Sequence, residues 1–112
     1  MADVPFSTKV VRVDGATVIY VQGEIDMATA ERLRDAIEPH MGPDQAIVLD
    51  LSGVEFMDSA CIKVLVQARG KLTADGGSLI LRNPSPAAHR LLTITGVEFI
   101  LAEDAEEHPQ SN

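Results

Sequence analysis

"IVLDLSGVEFMDSACIKVL", residues 47–65, changes character in its middle. With Ala46, its first part is a short continuous apolar run that includes Asp50, the pattern of a strand covered on both faces. From 59 to 74 the pattern is helical: Cys61, Leu65, Ala68 and Leu72 recur on one stripe, supplemented by Ile62 and Val64, while Lys63, Gln67 and Lys71 fall on another face. A strand that passes into a helix through a tight turn is the unit of a parallel α/β sheet, and the ends of such strands are where functional groups are displayed. The turn here is "EFMDS", residues 55–59.

The flanking segments extend the same scheme. Residues 10–13 and 17–21 are β-branched stretches on either side of Asp14-Gly15, a dipeptide that supplies the positive φ angles of a hairpin turn. After "QGEID" (22–26), residues 28–40 carry apolar groups at helical spacing, and Pro39 with Gly42-Pro43 marks the end. Residues 78–82, "SLILR", read as a fourth strand. A third helix follows, with Ser85 as N-cap, Pro86 at its first position and Gly96 at its end. "VEFIL" (97–101) is expected to be the last strand, and the acidic stretch after it to begin as a helix and fray. The predicted fold is therefore α/β: a mixed sheet of about five strands, mostly parallel after an N-terminal hairpin, covered by about four helices. Residues 1–112 form one domain with its core over about 8–102 and a fraying tail at 103–112.

Composition restricts the function. Nine basic and seventeen acidic residues give a net charge of −8, the wrong sign for neutralising a phosphate backbone, so nucleic acid is not expected as a partner. No apolar run approaches the roughly 20 residues of a membrane span, and "MADVPFSTKV" has no signal-peptide pattern, so a cytoplasmic protein without membrane insertion is expected. The one cysteine, Cys61, agrees with a reducing compartment. His40, His89 and His108 are scattered singly, so no metal or other cofactor is expected. No serine stands in a Gly-x-Ser-x-Gly elbow and "ADGGS" (74–78) lacks the lysine of a phosphate loop, so enzymatic activity is not expected either.

Chemistry concentrates on Ser59. If Asp58 caps the second helix, Ser59 takes the first helical position with its hydroxyl outward, where the partial positive charge of the helix end tolerates a phosphoryl group. A phosphate adds a charge of about −1.5 to −2 beside Asp58 and Asp26, and repels a partner fitted to the bare hydroxyl. The alternative is that Ser59 is itself a plain N-cap. Lys63, four residues on, either pairs with such a phosphate or is a solvated surface lysine. Cys61 reads as a buried small hydrophobe.

"GEID" at 23–26, "IVLDLSGVEFMDS" at 47–59 and "NPSPAAHRLLTITG" at 83–96 together resemble the STAS domains of bacterial anti-sigma factor antagonists, and the likeness covers nearly the whole chain. The resemblance implies a domain that binds an anti-sigma factor, usually a serine protein kinase, and so regulates sigma-factor-dependent transcription. It implies Ser59 as the phosphate acceptor, with a phosphatase restoring the free form. It places Asp26 and Asp58 beside the acceptor on the docking surface. With Ser59, the expected partner-binding set is completed by Glu24, Met57, Ile62 and Lys63, from the two turns and the first half of the second helix, acidic groups lying at the rim and apolar ones nearer the centre. The chain departs from the family pattern after the acceptor, where Cys61 and Lys63 stand in place of two glycines. Those changes favour an alternative: a non-switching STAS scaffold subunit of a lipid-transport or stress-signalling complex.

Overall fold

The computed structural model describes residues 5–97, and these form one mixed sheet with a layer of helices. Strands β1 (Ser7–Val13) and β2 (Ala16–Ile25) make the antiparallel hairpin, turning at Asp14 (φ 51°) and Gly15 (φ 83°). Two successive positive φ angles match the twist of the flanking strands, which is why this dipeptide suits the turn. Helix α1 (Ala30–Ile37) leads through a 3-10 turn (Glu38–His40) into β3 (Ala46–Met57), followed by α2 (Ser59–Ala74), β4 (Ser78–Arg82) and α3 (Pro86–Thr95). The helix expected over 28–40 is thus α-helical only to Ile37. Pro39 has no N–H to continue the ladder, so the chain tightens into the 3-10 turn.

The strand order is β1-β2-β3-β4, with β2, β3 and β4 parallel. Each β-α-β connection steps one strand in the same direction, and right-handed crossovers then place α1 and α2 on one face of the sheet, where Ala88 and Leu92 of α3 join the same core. Burial follows that layering. Ile47, Leu49 and Leu51 of β3 are sealed under the helices, with Ile19 and Ile25 of β2, Leu81 of β4, Leu33 of α1, Leu65 of α2 and Leu92 of α3.

Three expectations change. The described residues hold four strands and three α-helices rather than about five and about four; the strand expected at 97–101 beyond Val97 and the helical start of the tail lie outside them. β3 was expected to be covered on both faces, but among the described residues its second face meets no helix. There Val48 packs in a row with Val11, Val18 and Ile80, one residue from each strand. The third change is strand length. "GEI" and "EFM", read as turns, belong to β2 and β3, which run on through register shifts between Tyr20 and Gln22 and between Gly23 and Glu24. Gly23 sits at φ 95°, and a Cβ on Gly53 would come within 2.8 Å of the Gln22 side chain. These two glycines let the strands bulge and still remain paired to Ile25 and Met57, their last residues.

Candidate functional site

That pairing brings the residue after β2, Asp26, beside the residue after β3, Asp58. The Asp58 N–H donates to the carbonyl of Ile25 (3.1 Å), and the same carbonyl accepts the Cys61 thiol (3.2 Å). The first turn of α2 is therefore tied to the end of β2 from two directions. Asp58 is the N-cap: its φ and ψ are extended, and its Oδ1 accepts the Ala60 N–H at 2.8 Å. Ser59 is then the first residue of α2, is exposed, and its hydroxyl has no hydrogen-bond partner among the described residues. Of the two alternatives open in the sequence, capping by Asp58 is the one the backbone adopts.

Asp26 is also engaged locally. Its Oδ1 accepts the N–H groups of Ala28 (2.9 Å) and Thr29 (3.1 Å), and its own N–H donates to the Thr29 hydroxyl (2.9 Å). The Thr29 hydroxyl reaches the Glu24 carbonyl at 3.2 Å. This Asx turn closes the loop between β2 and α1 and leaves Asp26 and Glu24 half exposed.

Along α2 the exposed stripe is Ser59, Ile62, Lys63 and Val66, at the spacing that stacks side chains on one helix face; Ile62 alone is half-buried. Cys61, Val64, Leu65, Ala68 and Leu72 face inward. Burial pushes the Cys61 thiol up to about 12, and the nearby Asp58 charge adds to the effect, so it is a neutral core group. Of the two residues standing where the resemblance has glycine, only Lys63 reaches the surface.

Met57 is a correction. It was expected on the docking surface, but it is 5% exposed and belongs to the core, because the last β3 residue pairs with Ile25 and points under the helices. Besides Val66 on α2 (43% exposed), apolar area is presented by Phe56 (47%) and Met27 (79%), neither of which was singled out from the sequence. Phe56 was hidden because residues 55–59 read as a turn, where strand alternation assigns no face, whereas β3 runs on to Met57. Met27 carried a readable signal, an unbranched apolar residue immediately after the acidic turn.

Asp50 is a structural group. It is 3% exposed, and its carboxylate accepts bonds from the Ser52 hydroxyl (2.7 Å) and N–H (3.0 Å), Asn83 (3.0 Å) and Arg82 Nε (3.2 Å). Burial alone raises its pKa, but the bonds from Ser52, Asn83 and Arg82 outweigh that and hold it below the ordinary carboxylate value. Among the described residues no three His, Cys, Asp or Glu side chains gather to hold a metal, and no helix is long and apolar enough to cross a membrane. A groove of about 590 Å³ lies between α1 and α2, lined by Ile37, Met41, Val64, Ala68 and Lys71, and Ser59 is not part of its wall.

Residues 7–109 match the STAS domain family. The chain belongs to that family. The anti-sigma-B factor antagonist of Listeria monocytogenes is 34% identical to this STAS domain over 84 residues, 74% of each chain. Among solved structures, an anti-sigma factor antagonist from Mycobacterium paratuberculosis superposes with a TM-score of 0.75 at 36% identity, covering 88% of this chain and 84% of that one. The antagonist SpoIIAA in its unphosphorylated form superposes with a TM-score of 0.70, covering 95% and 98%; at 22% identity that likeness is one of fold.

Proposed function

We propose that this STAS domain is an anti-sigma factor antagonist that binds an anti-sigma factor of the serine-kinase type and is switched off by phosphorylation of Ser59. The observation that carries the reading is the free hydroxyl of Ser59 at the first position of α2, capped by Asp58 and not by itself. The partner docks on the half-exposed acidic turn of Glu24 and Asp26, on Asp58 and Ser59, and on the α2 stripe of Ile62 and Lys63, with Phe56 and Met27 adding apolar area in place of Met57. In the switching step the Ser59 Oγ forms a bond to the γ-phosphorus of ATP, the bond from that phosphorus to the bridging oxygen breaks, the hydroxyl proton leaves, and ADP departs. The fold survives because the first-turn amides and the helix dipole accept an anion. The complex does not, because the added charge and bulk meet a partner surface fitted to the bare hydroxyl, and burying that charge with no group on that surface to pair it costs several kcal/mol, which lowers affinity by orders of magnitude. A phosphatase that removes the group restores docking.

The test is incubation with the ATPase that co-purifies with the tagged protein, plus ATP, read by intact mass and by binding. One phosphate on the wild type, none on Ser59→Ala, and loss of binding on modification are expected. An unmodified wild type that still binds would overturn the switch and leave the non-switching scaffold as the reading.

A further inference from the structure

The first two turns of α2, residues 59–66, contain one charged side chain, Lys63. It is exposed, it stands one turn along the same face from Ser59, and it takes no part in the two ion pairs among the described residues, Arg34–Glu31 and Arg82–Asp50. The other charged groups that flank Ser59 are acidic: Glu24 and Asp26 from the end of β2, and Glu55 and Asp58 from the end of β3. Two of these carboxylates are already turned onto backbone N–H groups, that of Asp26 onto Ala28 and Thr29 and that of Asp58 onto Ala60. On α1, the helix packed beside α2, Arg32 lies over the Phe6 ring and Arg34 is engaged with Glu31 and with Gln67, two turns along from Ser59, which leaves Lys63 as the cation one turn from a phosphate on Ser59. An anion four residues N-terminal to a lysine is also the favoured orientation of such a pair.

We infer that Lys63 is a positioning residue that captures a phosphoryl group on Ser59. This rests on Ser59 being the modified residue, as proposed above. Capture has two results. It holds the phosphate in one pose along α2, and it withdraws from the docking face the cation that the unmodified domain offers there. The ammonium favours the dianion, so it lowers the second phosphate pKa, which is ordinarily about 6.

The test places phosphoserine at position 59 during synthesis, so that no kinase is needed, and titrates it by 31P NMR in the full chain. The wild-type phosphoprotein is expected to titrate about 0.3 unit below Lys63→Ala, with Lys63→Arg restoring the lower value and the gap closing at high salt. Lys71→Ala, which removes the same charge two turns further on, is expected to titrate with the wild type. Equal values for wild type and Lys63→Ala, or an equal shift from Lys71→Ala, would overturn the inference. If the kinase does not modify Ser59, the proposed switch fails while this measurement still stands by itself.

Discussion

Replacing Asp58 and Ser59 one at a time separates the residue that holds the helix from the residue that is offered to a partner. Asp58→Ala removes one charge-assisted bond, the 2.8 Å contact to the Ala60 N–H, and a carboxylate at the positive end of α2. It leaves the backbone bonds from Asp58 to Ile25 and from Cys61 to Asp58 in place, and because the site is half exposed, water takes over the freed amide. The loss should therefore be that of an ordinary N-cap, about 1 kcal/mol. For a domain of this size that is a fall of roughly 5 °C in Tm. Ser59→Ala removes a side chain with no described partner and adds a better helix former, so its effect should stay within about 0.5 kcal/mol in either direction. Asp58→Asn keeps the acceptor and should recover most of the cap. Urea unfolding at neutral pH, read by circular dichroism, measures all three. Equal losses for Asp58→Ala and Ser59→Ala would mean that Ser59 does structural work, and the case for a free hydroxyl would fail.

Asp50→Ala should cost about 2–3 kcal/mol, since Arg82 and Asn83 lose a shared acceptor. The Asp50 pKa is lower in the fold than in the unfolded chain, so its contribution is present at neutral pH and is lost as pH falls through the folded value. The wild-type urea midpoint should accordingly drop more steeply on acidification than that of Asp50→Asn. Cys61 should react with a thiol reagent at pH 8 far more slowly than a cysteine peptide, and reach the peptide rate only in denaturant. Met57→Ala should cost about 2–5 kcal/mol of stability, whereas Phe56→Ala should leave stability within about 1 kcal/mol and weaken partner binding about tenfold, measured by calorimetry. Gly70→Ala should stabilise the domain by about 0.5–1 kcal/mol, because a Cβ there meets open space on an exposed helical turn.

Much of this domain is local and so was legible along the chain. The hairpin turn at Asp14-Gly15, the bounds of α2 and α3, the Ser85 cap and the stripe that sends Cys61 inward follow from propensities and spacings within a few residues of each other. That Asp26 and Asp58 follow the ends of successive strands was legible too, while their adjacency comes from the parallel pairing of β2 with β3.

Tertiary structure decided what crosses between strands. The bulges at Gly23 and Gly53 carry the pairing of β2 and β3 on to Ile25 and Met57, through residues that read along the chain as turns, and it is that pairing that puts Met57 in the core and Phe56 in solvent. Asp50 reads in the sequence as one acid in an apolar run. Its low pKa comes from Ser52 beside it and from Arg82 and Asn83, brought more than thirty residues back by β4. Short-range pattern sets which element a residue joins, while the direction its side chain takes and the partners it meets depend on contacts made only when distant strands pair.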